Sequence, residues 1–171
     1  VLSAKQSGAR AIKWLPPAMG MDPSSSLCEP FYRALIQTNL PLLVHAGEEK
    51  AVHGANRQAY GNPLLLRLPL DMGVKVIVAH CASLGRAVDL DSASREKERS
   101  SFELFSRLME NPDYENNLFG EISALTQVNR IGPVLDAIIQ RQEWHTRLIN
   151  ASDYPLPAVM PLFSLKKMVD R

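Results

Sequence analysis

Short runs of β-branched and aliphatic residues recur along the chain: Ala9 to Leu15, Pro41 to Ala46, Val74 to Ala79, Leu118 to Ser123 and Arg147 to Ala151. Their length suits strands. Their near-continuous apolar character suits parallel strands covered on both faces. Segments with helical spacing lie between them. Glu29 to Thr38 follows the capping residues Ser24-Ser25-Ser26 and carries Pro30 in its first turn, where proline is tolerated. Leu64 to Met72 is opened by Asn62-Pro63, ended by Gly73 and kinked or shortened by Pro69. Arg95 to Met109 places Phe102, Phe105 and Met109 on one face, and its opening charge run, Arg95-Glu96-Lys97-Glu98-Arg99, reads as solvated surface. Asn129 to Gln142, with Pro133 near its start, and Pro161 to Asp170 complete the set. The order βαβαβαβαβα predicts a parallel sheet with right-handed crossovers. The loops Glu48 to Gly61 and Ser83 to Ser94 are longer than a connection needs. Both leave the carboxyl end of a strand, where α/β proteins place their sites.

Composition narrows the function. The chain has 171 residues, 46% of them hydrophobic, and 19 basic against 18 acidic side chains, for a net charge of +1. Such a balance supplies no global field for nucleic acid or an acidic membrane surface. The apolar runs are too short to span a bilayer. Cys28 and Cys81 do not make a disulfide framework, so the expected compartment is reducing and cytoplasmic. The length predicts one domain over residues 1–171.

The strand ends carry the candidate chemistry. Lys13 interrupts Ala11-Ile12-Lys13-Trp14-Leu15; His45 and His80 end the second and third strands; Glu121 and Ser123 share a side-chain parity on the fourth; Asp153 follows the fifth. An open sheet concentrates function at one switch point, whereas a closed barrel aims every strand end at one axis. Polar groups on five successive strand ends therefore favour the barrel. Eight units of about 30 residues need roughly 250 residues, so five units predict a piece of a barrel, a reading that also suits a start at Val1 and an end within a helical pattern. Two histidines joined by a carboxylate are the donor types expected for zinc or a related divalent metal. Lys13 reads equally as a snorkelling lysine, and Glu121 as a partner for Lys13 or an arginine. His53 and His145 look ordinary, and Cys81 reads as a small buried residue.

Gly8-Ala9-Arg10-Ala11-Ile12-Lys13-Trp14-Leu15-Pro16, Leu40 to Glu48 with its His45-Ala46-Gly47 end, Val76 to Cys81 and Ser152-Asp153-Tyr154-Pro155 together resemble the metal-dependent amidohydrolase superfamily. The nearest branch is the group that includes aminocarboxymuconate-semialdehyde decarboxylase. The resemblance implies a (β/α)8 TIM barrel of which this chain supplies about strands four to eight. It implies His45 as a metal ligand, His80 as a second-metal ligand or catalytic residue, and Asp153 as the group that binds metal and reactive water. It further implies Lys13 on the strand whose lysine is carbamylated in two-metal members. The superfamily's His-x-His pair on strand one has no counterpart among His45, His53, His80 and His145. The expected activity is hydrolysis of a small organic substrate. A divalent metal, zinc first, would lower the pKa of its water to roughly 7, with Asp153 and His80 as the catalytic residues. Arg57, Arg86 and Arg130 follow strand ends and either clamp a substrate carboxylate or sit on the surface. The rival readings are decarboxylation on the same fold and a non-catalytic structural or interaction domain. Expected partners are the small-molecule substrate and either a second copy of the chain or an N-terminal barrel portion.

Overall fold

A computed structural model describes residues 1–50, 57–94 and 97–154, together with Lys166 and Val169. A short helix α1 (Leu2–Gln6) precedes strand β1 (Ile12–Trp14), helix α2 (Pro16–Met19) and helix α3 (Glu29–Thr38). Strand β2 (Leu42–His45) leads through two 3₁₀ turns to helix α4 (Arg67–Asp71) and strand β3 (Val76–Ala79). A hairpin of β4 (Arg86–Val88) and β5 (Glu98–Ser100) runs into helix α5 (Ser101–Met109), then β6 (Leu118–Glu121), α6 (Pro133–Gln140) and β7 (Leu148–Ile149). The five strands β1-β2-β3-β6-β7 form one sheet in that order, and every neighbouring pair is parallel. The architecture is α/β with the parallel sheet that the alternating pattern predicts. It has the form of part of a TIM-barrel-like fold.

Register sorts the side chains. Trp14, Val44, Val78, Gly120 and Leu148 stand in one row across the sheet. Trp14, Val44 and Val78 are buried, as are Leu42, Val76 and Leu118 one pleat away. This face packs under the helices. Trp14 stacks on Phe31 of α3 at 4.5 Å, and Phe105 of α5 meets Trp144 edge-on at 6.3 Å. Strand period two places the opposite parity on the other face. There Lys13, Leu43, Ile77 and Phe119 form the next row, with His45 opposite Ala79 and Glu121 opposite Ile149 at the carboxyl ends. One parity thus builds the core, and the other carries the ionisable groups. Gly120 is required by close approach: a Cβ there would lie 2.7 Å from the Cys81 Sγ and 3.2 Å from the Phe105 ring.

Glu29–Thr38 matches its predicted limits, and its chain is turned at Asn39 in the left-handed conformation. Elsewhere the boundaries move. The stretch from Leu64 to Met72 divides into a 3₁₀ turn (Pro63–Leu66) and the short α4, because Pro69 lacks the N–H that a longer helix needs. The predicted helix from Arg95 starts only at Ser101, where Ser100 and Glu103 form a reciprocal capping box. Residues 95–96 lie outside the described residues. Glu98-Arg99-Ser100 instead pairs antiparallel with Arg86–Val88 inside the predicted loop. Bidentate bonds from Arg107 to Asp89 and from Arg67 to Asp91 anchor that excursion. The predicted helix at 129–142 is α6, shortened by Gly132-Pro133, and the helix at 161–170 lies outside the described residues except for Lys166 and Val169, both helical and exposed. Among the described residues, no helix is long and apolar enough to cross a membrane.

Phe105 is fully buried and touches Phe102 and Trp144. Phe105→Ala should therefore cost about 3–5 kcal/mol, read as a lower denaturant midpoint at unchanged slope. A loss below 1 kcal/mol would show that α5 does not clamp the sheet.

Candidate active site

The sheet delivers four side chains to one mouth. Lys13 comes from β1, His45 ends β2, His80 follows β3 and Asp153 lies beyond β7. With Glu49, Gln127 and Arg130 they line a cavity of about 310 Å³. A larger cavity of about 680 Å³ lies between α6 and the end of β7, walled by Leu135, Ile138, Ile139 and Leu148. Its walls are chiefly apolar, and the convergent ionisable groups that mark a reaction site are at the smaller cavity.

The loops after β2 and β3 are fastened together. Gly47 donates its N–H to the Gly61 carbonyl at 2.7 Å, and Glu48 donates to the Leu84 carbonyl at 2.9 Å. Gly47 sits at φ +91°, and a Cβ there would meet the Leu84 carbonyl oxygen at 2.5 Å. The chain after β3 then makes an unusual turn. His80, Cys81 and Ala82 all have positive φ, at 53°, 49° and 50°. Left-handed conformation costs roughly 1–2 kcal/mol per non-glycine residue, so the turn needs support from its surroundings.

That support comes from β6. The Glu121 Oε2 accepts the His80 backbone N–H at 3.1 Å, and its Oε1 accepts the Ser123 backbone N–H at 2.5 Å. The His80 Nδ1 lies 3.0 Å from the Ser123 Oγ, 3.1 Å from the Ser123 carbonyl oxygen and 3.4 Å from Glu121 Oε2. Its Nε2 lies 3.8 Å from the Asp153 Oδ1. The His45 Nε2 faces Glu49 at 3.5 Å and the Glu48 carbonyl at 3.3 Å. The two imidazole rings meet nearly edge-on, 5.7 Å apart. His45, His80, Glu49, Glu121 and Ser123 are all buried.

Electrostatics follows from this packing. Burial alone would raise the Glu121 carboxyl pKa, but the hydrogen bonds from His80 and Ser123 overcome it and hold the group at about 2. Desolvation depresses the His45 imidazole, with Glu49 opposing it. Desolvation also lowers Lys13 and Arg130, each opposed by the surrounding carboxylates Glu121, Asp153 and Glu49. Arg130 donates from Nη1 to the Ser83 Oγ at 2.8 Å, while its buried Nε has no hydrogen-bond partner among the described residues. Burial pushes the Cys81 thiol up, in keeping with a structural role.

The predicted residues Lys13, His45, His80 and Asp153 therefore meet at one cavity. Among the described residues, no group of three or more His, Cys, Asp or Glu side chains is arranged to hold an ion. The donors resolve into separate pairs, His45 with Glu49 and His80 with Asp153, and the His80 Nδ1 is turned to Ser123. A closed donor set for the zinc or related divalent centre that the resemblance implies is therefore not seen among the described residues. Glu121 accepts its hydrogen bonds from His80 and Ser123, and its charge acts on Lys13 and Arg130 from a distance. Arg130 lines the cavity, while Arg57 and Arg86 are exposed and Arg86 bonds along the hairpin to Glu98. Sequence reasoning missed Glu49 and Gln127. The signal for Glu49 was its position four residues after His45. Gln127 lies beyond β6 in a segment with no periodicity to read.

No protein-family model matches the sequence, and no curated protein matches it. Among solved structures, the chain is similar to one from Pseudomonas putida named "Putative 2-Pyrone-4,6-Dicarboxylic Acid Hydrolase". The TM-score is 0.60 at 14% identity, over 99% of this chain and 57% of the other. It is similar more weakly to one from Lactobacillus casei named "putative metal-dependent hydrolase", with a TM-score of 0.43 at 24% identity, over 74% of this chain and 29% of the other. The chain spans a little over half the length of the first. The likeness is one of fold.

Two outcomes follow. Glu121 has its carboxyl held from an ordinary 4.5 down to about 2, so it contributes stability that is full above pH 4.5 and lost as the pH falls through 2. The contribution is on the order of 3 kcal/mol. Denaturant titrations between pH 6 and pH 2 should show that loss in the native chain and a smaller one in Glu121→Gln; equal losses would remove Glu121 as its source. Elemental analysis of the purified 171-residue chain should find well under one zinc per chain. Stoichiometric zinc would show that the donor pairs rearrange around an ion.

Proposed function

We propose that the chain carries the catalytic face of an amidohydrolase-like hydrolase acting on a small anionic carbonyl compound, a lactone or ester that bears a carboxylate. The observation that carries this reading is the placement of Asp153 and the His80 Nε2 3.8 Å apart at the cavity mouth. With its Nδ1 facing the Ser123 carbonyl, neutral His80 presents a lone pair at Nε2. Two acceptors at that spacing suit a water that donates one O–H to each, which orients it and leaves an oxygen lone pair for attack. Attack on the carbonyl carbon forms the new C–O bond. The water's proton passes to Asp153, and the same proton then reaches the departing oxygen as the original C–O bond breaks. The cationic side chains of Lys13 and Arg130 line the same cavity and would receive the developing oxyanion or the substrate carboxylate. The fold shared with a structure named for a pyrone dicarboxylic acid hydrolase supports the same class, because a 2-pyrone is a cyclic ester.

The test uses 2-pyrone-4,6-dicarboxylate and 4-nitrophenyl hydrogen succinate as anionic probes, with 4-nitrophenyl acetate as the neutral control. Expected are cleavage of at least one anionic probe in preference to the neutral ester, and a fall in kcat of about 10²–10⁴ in Asp153→Asn. Carbon dioxide release in place of C–O cleavage would favour a decarboxylase. Cleavage that survives Asp153→Asn unchanged, or no cleavage of any probe, would overturn the proposal.

A further inference from the structure

The buried Glu121 carboxylate joins the turn after β3 to the end of β6. Two backbone N–H groups, of His80 and Ser123, converge on its oxygens, and the His80 ring Nδ1 lies against it and Ser123. Around Nδ1 stand a carbonyl oxygen and a carboxylate oxygen, which only accept, and a hydroxyl, which can do either. The hydrogen of neutral His80 therefore belongs on Nδ1. That leaves Nε2 as an acceptor on the side of Asp153 and the cavity.

We infer that Glu121 and Ser123 are positioning residues that lock His80 in its Nδ1–H tautomer and fix the strained turn on which it sits. An amide cannot replace the carboxylate. Both carboxylate oxygens face N–H donors, so glutamine would turn its own NH₂ group toward one of them and leave two donors opposed in a buried space. The strand parity explains why these two residues act together. Glu121 ends β6, and Ser123, two residues on, returns its backbone N–H to Glu121 while its carbonyl and hydroxyl reach His80. The three successive positive φ values from His80 to Ala82 are closed by one turn bond, from the Ser83 N–H to the His80 carbonyl at 3.0 Å, and the Glu121 bond to the His80 N–H ties that turn to β6. The tautomer follows from geometry alone. Its catalytic consequence rests on the hydrolytic reading above.

The experiment is ¹⁵N NMR of the histidine-labelled chain at about pH 8.5, above the usual histidine range, with the His80 signals assigned by their loss in His80→Gln. The expected spectrum has a protonated Nδ1 and an unprotonated Nε2, the reverse of the form that free histidine favours. An Nε2–H signal for His80 in the native chain would overturn the inference, and this measurement needs no variant at the positioning residues. In Glu121→Gln, the Nδ1–H pattern should give way to a mixture, and kcat on the cleaved anionic probe should fall at least tenfold with KM changed less than threefold. Glu121→Asp, which keeps an acceptor-only group, should recover part of both. A native tautomer and native kcat in Glu121→Gln would remove Glu121 from the positioning role. If no probe is cleaved while the tautomer is as expected, the hydrolytic reading fails and the positioning of His80 stands.

Discussion

The structure depends on a buried carboxylate that bridges two strand ends. Glu121 lies at the end of β6, and its two oxygens take the backbone N–H groups of His80 and Ser123. Burying a charge is costly unless donors surround it. Here the donors are main-chain groups just past strand ends: His80 follows β3, where the chain turns left-handed, and Ser123 follows β6. The charge and the strained turn each supply what the other lacks. The low Glu121 pKa is the thermodynamic trace of that arrangement.

Outward from this point, the sheet's two faces divide the work. One parity, from Trp14 through Val44 and Val78, is buried beneath α3 and α5 and holds the strands in parallel register. The other sends Lys13, His45 and Glu121 to the carboxyl ends, where the Gly47–Gly61 and Glu48–Leu84 bonds fasten the loops above them. Buried partners fix the rings of His45 and His80, which line one cavity with Asp153 and Arg130.

Much of this was legible in the sequence because it follows from period and position. The apolar run ending in His80 could only be a buried strand with a polar terminus, and the spacing of α3 predicted its limits. The β4–β5 hairpin was not legible: Glu98-Arg99-Ser100 looks like charged helix until the Arg107–Asp89 and Arg67–Asp91 pairs, distant in sequence, draw the loop across. The site was legible by residue type, and its detailed geometry was not. Two histidines and an aspartate at strand ends pointed to a metal. Yet the ring orientations depend on Ser123's carbonyl and on Glu49, and no spacing rule reports a carbonyl direction. Nor does any glycine mark the turn at His80 to Ala82, since a tertiary bond rather than a permissive residue holds it there.

The central claim is that Asp153 and His80 together direct a water at a carbonyl carbon. Turnover of the cleaved anionic probe in ¹⁸O-labelled water tests it most directly, with product analysed by mass spectrometry. The account predicts one solvent oxygen in the newly formed carboxylate per turnover, at a rate that collapses in Asp153→Asn. Product without solvent oxygen, or labelled product formed at the native rate in that variant, would contradict it.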